Sequence, residues 1–193
     1  MLEKQTIDPR VKRTRKLILE SFISLMGEKP FDSITIADIA SRATVNRATF
    51  YSHFEDKNKL IAYMIGEQLQ AKLDEKLLGV DTLDEENFRL LVITVGEYLN
   101  EFHGHCVATS HKQMESVIET EMQQRIYAKL LFWIRESGKT PTGSSPEMAA
   151  TVLSWSILGT TMQWSQGDKK QSLPELADSV MALLIGGLAS FTK

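Results

Sequence analysis

Apolar residues recur at intervals of three and four along almost the whole of this 193-residue chain, and nowhere do they alternate with polar ones over the length of a strand. The pattern predicts an all-α protein. A first helix starts at Pro9, a residue suited to a helix's opening turn, and runs to Met26 with Ile18, Phe22 and Leu25 on one stripe. Gly27 and Pro30 end it. Asp56 caps a long helix that continues through Leu60, Met64 and Leu73 to about Leu78. After a break at residues 79–82, the acidic run Asp84-Glu85-Glu86 opens a helix to about Phe102, negative charge at its N-terminal end as the dipole prefers. Residues 103–106 read as a joint. Two further helices are expected between Lys112 and Arg135, parted by a kink near Glu119. Residues 137–145, rich in Gly, Pro, Ser and Thr, form a loop before two last helices over 146–165 and 173–191.

Two short helices complete a set of about nine. Thr35 is a good N-cap, and Asp38 three places on makes a near capping box. Ile36, Ile39 and Ala40 then fall on one docking face. Ala43-Thr44-Val45 has the length of a tight turn, and Asn46 caps the next helix. In that helix Ala48 and Phe50 are expected to turn inward, with Arg47, Thr49 and Tyr51 facing out. So short a helix is unstable alone and must be held by packing. Helix, tight turn and packed second helix form a helix-turn-helix, the device that sets its second helix in a DNA groove.

Residues 10–65 resemble the N-terminal DNA-binding domain of the TetR/AcrR family of transcriptional regulators. The likeness rests on Thr35-Ile36 with Ile39-Ala40, on Ala43-x-Val45, and on Thr49-Phe50-Tyr51-x-His53-Phe54 followed by Lys57 and Leu60. The family often has Gly in the turn where this chain has Thr44. The resemblance implies a three-helix DNA-binding domain over residues 1–56 and a helical domain over 57–193 that binds an effector and dimerises. It implies a homodimeric regulator, most simply a repressor released from a palindromic double-stranded operator by a small molecule. Arg47 and Thr49, early in the second helix, are expected at base edges. Tyr51, His53 and Lys57 are expected at phosphates, with Thr35 and Asn46 completing the DNA-binding set.

Charge agrees with that division. The net charge of −3 hides an asymmetry: residues 1–63 carry eleven Lys/Arg against eight Asp/Glu, and the remainder carries eleven against seventeen. A basic end and an acidic end are expected when one faces a phosphate backbone. The single cysteine, Cys106, rules out a disulfide within the chain, and no apolar run is long enough to span a bilayer, so a cytoplasmic protein is expected. Gly-x-Ser-x-Gly, phosphate-loop and His-Glu-x-x-His motifs are missing from the sequence, which argues against an enzyme, and no cofactor is expected.

The last two helices are apolar almost all round, as helices buried on more than one side must be. Paired across a two-fold axis they would form a four-helix bundle, with Val152, Trp155, Gly159, Val180, Leu184 and Leu188 at the dimer interface. An excess of aromatic and Met side chains suggests an apolar or aromatic effector bordered by Phe102, His103, Met122, Trp133, Trp155 and Met162. Two alternatives stand beside it. The C-terminal face could bind another protein instead of a small molecule, or His103, His105, Cys106 and His111 could sense a metal, although their spacing matches no structural zinc site.

Overall fold

The computed structural model describes residues 8–105, 112–138 and 143–187. Among them are eight α-helices, one 3₁₀ turn and no strand. The helices are α1 (Pro9–Met26), α2 (Ile36–Arg42), α3 (Arg47–His53), α4 (Lys57–Lys76), α5 (Glu85–His105), α6 (Lys112–Ser137), α7 (Pro146–Gln166) and α8 (Leu173–Gly186), with the 3₁₀ turn at Phe31–Ser33. Two differences from expectation stand out. The expected division near Glu119 is not seen: α6 runs as one helix of 26 residues, and nothing between Lys112 and Ser137 is Pro or Gly to break it. The final helix, expected to reach Phe191, stops at Gly186, where Gly187 turns to φ +51°. Residues 188–193 lie outside the described part.

The chain gathers into two units, Met1–Met64 with His105–Ile118, and Ile65–Gly104 with Glu119–Lys193. In the first, α1 packs against α2 and α3 over a core of Ile18, Phe22, Ile39 and Phe50, all fully buried. Phe31 of the 3₁₀ turn meets Phe22 edge to face at 6.1 Å, which closes the end of that core.

In the second unit the buried sides of α4, α5, α6 and α7 supply Leu69, Val95, Met122, Ile126, Trp133 and Leu158. Gly96 on α5 is a notch for α8: a Cβ there would stand 2.2 Å from Leu173 Cδ2. The loop after α4 is pinned through one carbonyl, Val80 O, which accepts from Trp133 Nε1 at 2.8 Å and from Lys129 Nζ at 3.2 Å. The indole thus stays buried with its polar atom satisfied.

Candidate nucleic-acid interface

The two motif helices have seven residues each, too few to hold themselves, and their ends are closed by side chains. At α2 the Thr35 hydroxyl accepts from the Asp38 amide at 3.1 Å, while the Asp38 carboxylate accepts from the Thr35 amide at 2.8 Å. Lys29 adds an ammonium to the same carboxylate at 2.8 Å. Lys29 first, and then the Thr35 amide and hydroxyl, hold the Asp38 carboxyl well below the usual carboxylate range. At its other end α2 is tied to Glu28 by the Arg42 guanidinium, one arm at 2.8 Å. At α3 the Asn46 side chain accepts from the Thr49 amide at 2.6 Å. Thr35 and Asn46, both expected at DNA, therefore already spend their side-chain oxygens on the helix ends.

Between the helices the chain reverses in three residues. Thr44 carries the reversal at φ +55°, a conformation that costs a β-branched residue steric strain. Val45 N–H returns to Ala40 O at 3.0 Å and Ala43 is buried beneath the turn.

On α3, Phe50 is fully buried and Tyr51 is 56% exposed, its ring edge-on to Phe50 at 5.7 Å. Arg47 is exposed, as expected. Ala48, expected inward, faces outward beside it, and Thr49, expected outward, is only half-exposed. The inward–outward alternation assigned to residues 47–51 has a period of two, whereas a helix turning every 3.6 residues sets 47, 48, 51 and 52 on one side. Ala48 and Ser52 are the members of the exposed face that sequence reasoning missed, and helical periodicity was the signal that could have found them.

His53 is half-buried. Burial first, and then the nearby charge of Arg15, lower its pKa and favour the neutral imidazole. Lys57 does not point freely outward. Its ammonium donates to Phe31 O at 3.0 Å and Ile34 O at 3.3 Å, and lies 4.3 Å from the centre of the Phe31 ring. Arg10, Lys12, Arg13, Arg47 and Lys59 are exposed and without an ion pair among the described residues.

The residues expected at a dimer interface are divided. Val152, Trp155 and Gly159 lie on an exposed stripe of α7 with Met148, and a Cβ on Gly159 would meet nothing within 4 Å. Val180 is 4% exposed and so is buried within its own chain, as is Ala177. Leu184 is half-buried, Leu183 is exposed in its place, and Leu188 lies outside the described residues.

The expected pocket residues are also not of one kind. Phe102, Met122 and Trp133 are interior, Met162 is half-buried, and Trp155 is 46% exposed. The side chains of His103 and His105, and all of Cys106 and His111, lie outside the described residues. Elsewhere in the described part no three His, Cys, Asp or Glu side chains gather as metal ligands would. None of the described helices is long and apolar enough to cross a membrane.

A buried two-helix corner that presents an exposed face of α3 is the arrangement of a helix-turn-helix DNA-binding domain. Residues 18–64 match the family of bacterial regulatory proteins called tetR, so this domain is that of a DNA-binding transcriptional regulator. A stretch of 64 residues is 44% identical to the HTH-type transcriptional regulator YxbF of Bacillus subtilis; it covers 33% of this chain but spans only 17% of YxbF. Over 183 residues the chain is 22% identical to the fatty acid metabolism regulator protein of Bacillus subtilis, covering 89% of this chain and 93% of that one. The fold is that of Thermus thermophilus FadR, a TetR-family repressor solved with lauroyl-CoA: TM-score 0.61, 20% identity, 90% of this chain and 94% of that chain covered.

Proposed function

We propose that the protein is a homodimeric repressor that holds a palindromic operator through a pair of α3 helices and lets go when a small apolar molecule binds its C-terminal domain. The observation that carries the reading is the outer side of α3, where Arg47, Ala48 and Tyr51 stand exposed on a helix anchored by a fully buried Phe50. In this reading Arg47 reads base edges with Thr49 at the margin, and Tyr51 and His53 meet phosphates. Lys57, its ammonium engaged by carbonyls, contributes through the first-turn amides of α4. Thr35 and Asn46 act by fixing the helices that bear these groups.

A palindromic operator requires a two-fold protein. The α7 stripe of Met148, Val152, Trp155 and Gly159 is the surface best suited to a second copy. The functional boundary falls at residues 56 and 57, with DNA binding before it, the first turn of α4 excepted, and dimerisation and effector binding after it, in a protein that works in the cytoplasm where the DNA is. Likeness to a FadR solved with lauroyl-CoA supports an acyl-CoA as effector, its acyl chain being the apolar part that the C-terminal domain would take. Such a ligand releases DNA only by its preference for one of two conformations.

Selection of bound duplexes from a random pool tests the first half, and a two-fold symmetric sequence is expected. Titration of lauroyl-CoA into the complex tests the second, with at least a tenfold loss of affinity expected. A selected site without symmetry would refute the dimeric reading, and a complex indifferent to acyl-CoA would refute the effector class.

A further inference from the structure

We propose that Arg15, on α1, is a positioning residue for DNA recognition: it sets the angle of α3 without touching DNA. The inference rests on the reading of α3 as the recognition helix. The Arg15 guanidinium lies 5.8 Å from the centre of the Phe54 ring and 5.4 Å from that of Tyr63, and those two rings are themselves 5.5 Å apart. One cation therefore touches the residue that ends α3, a side chain two turns into α4, and its own helix α1. A cation held over two ring faces is attracted electrostatically to both, and the planar guanidinium stacks where an ammonium cannot.

The second observation is a missing bond. Arg15 Nε is buried and has no hydrogen-bond partner among the described residues. A buried donor left unmade is unfavourable, so the geometry is dictated by the rings and not by any acceptor. Burial of Nε also keeps that edge of the guanidinium from a phosphate. Phe54 lies against Phe50 at 6.0 Å, and Phe50 lies against the exposed Tyr51, so the stack continues from Arg15 to the outer face of α3. Tilting Phe54 would turn that face, and a groove contact misplaced by an ångström loses base discrimination before it loses phosphate attraction.

The test uses the full-length protein, a duplex selected by the wild type, and a scrambled duplex of equal length, each measured at several salt concentrations. Arg15→Met keeps the length of the side chain and removes the charge. It is expected to weaken the selected duplex at least tenfold, change the scrambled one less than twofold, and leave the salt slope unaltered, with helix content and melting retained. Arg15→Lys should recover part of the discrimination. Equal weakening of both duplexes with a slope shallower by about one would make Arg15 a phosphate ligand and overturn the proposal. So would unchanged discrimination. If Arg15→Met fails to fold, Tyr63→Leu, which removes one ring of the stack, decides on the same criteria. A wild-type protein that selects no duplex would overturn the recognition reading itself, an outcome distinct from a variant that discriminates as well as a discriminating wild type.

Discussion

The N-terminal motif and the C-terminal helix pair solve opposite problems. In α2 and α3, seven residues each, nearly every polar side chain at a helix end has an assigned partner: Thr35 with Asp38, Asp38 with Lys29, Arg42 with Glu28, Asn46 with the Thr49 amide. In α7, 21 residues long, an apolar stripe stands exposed among the described residues. Short helices need every cap, so each residue is specific and the structure it makes is complete within the chain. A long helix is stable through many replaceable contacts, and the side it leaves bare is available for assembly.

The sharpest way to break this contrast is to remove the anchor of the motif. Phe50→Ala deletes a fully buried ring beneath α3 and should cost about 3–5 kcal/mol, read as a lower denaturation midpoint with loss of DNA binding. A variant that unfolds like the wild type would mean the motif is not held from beneath. Gly159→Glu probes the other side. Because a Cβ there meets nothing within 4 Å, the chain should fold normally, while an unpaired charge in a dimer interface should cost roughly 3 kcal/mol and give monomers in sedimentation. A fully dimeric Gly159→Glu protein would move the interface elsewhere. Arg47→Ala should lose about 1–3 kcal/mol of binding and relax preference on the selected operator, with stability untouched. Unchanged preference would remove Arg47 from the reading face.

Thr44→Gly should raise stability by about 0.5–1 kcal/mol, the relief of a left-handed β-branched residue partly offset by the freedom glycine gains when unfolded. Failure to gain would mean the turn is relaxed by its neighbours. The smallest effect is one of pH. The Asp38 carboxyl lies below its ordinary value in the folded protein, so the unfolded chain takes up the proton first as pH falls. Its stabilisation is complete above about pH 4 and is lost on acidification below that. The gap in urea midpoint between wild type and Asp38→Asn should therefore narrow between pH 5 and pH 3, and a constant gap would contradict the role.

Legibility followed the same contrast. The bounds of α1 and the caps at Thr35 and Asn46 could be read because Pro, Gly, Thr and Asn are chosen for backbone reasons that hold locally. The facing of Ala48 and Thr49 was misread through the wrong period. The burial of Val180 was not legible for a different reason: α7 and α8 are apolar on most sides, and a helix with no polar side gives no local sign of which apolar side meets its own chain. Lys57 is expected at a phosphate, and nothing local tells that the 3₁₀ turn 26 residues earlier offers its ammonium carbonyls.

The three tryptophans stand in three different dielectrics. Trp133 is fully buried and donates to Val80 O, Trp164 is half-buried and donates to Gln171 O at 2.7 Å, and Trp155 stands 46% exposed on the α7 stripe. Indole emission shifts to the blue as water leaves its surroundings, so Trp155 alone should change colour when a second chain covers α7. Under the proposed dimer, Trp155 would be an optical gauge of assembly, readable on dilution without a label, with Trp133 as the internal standard for a folded interior.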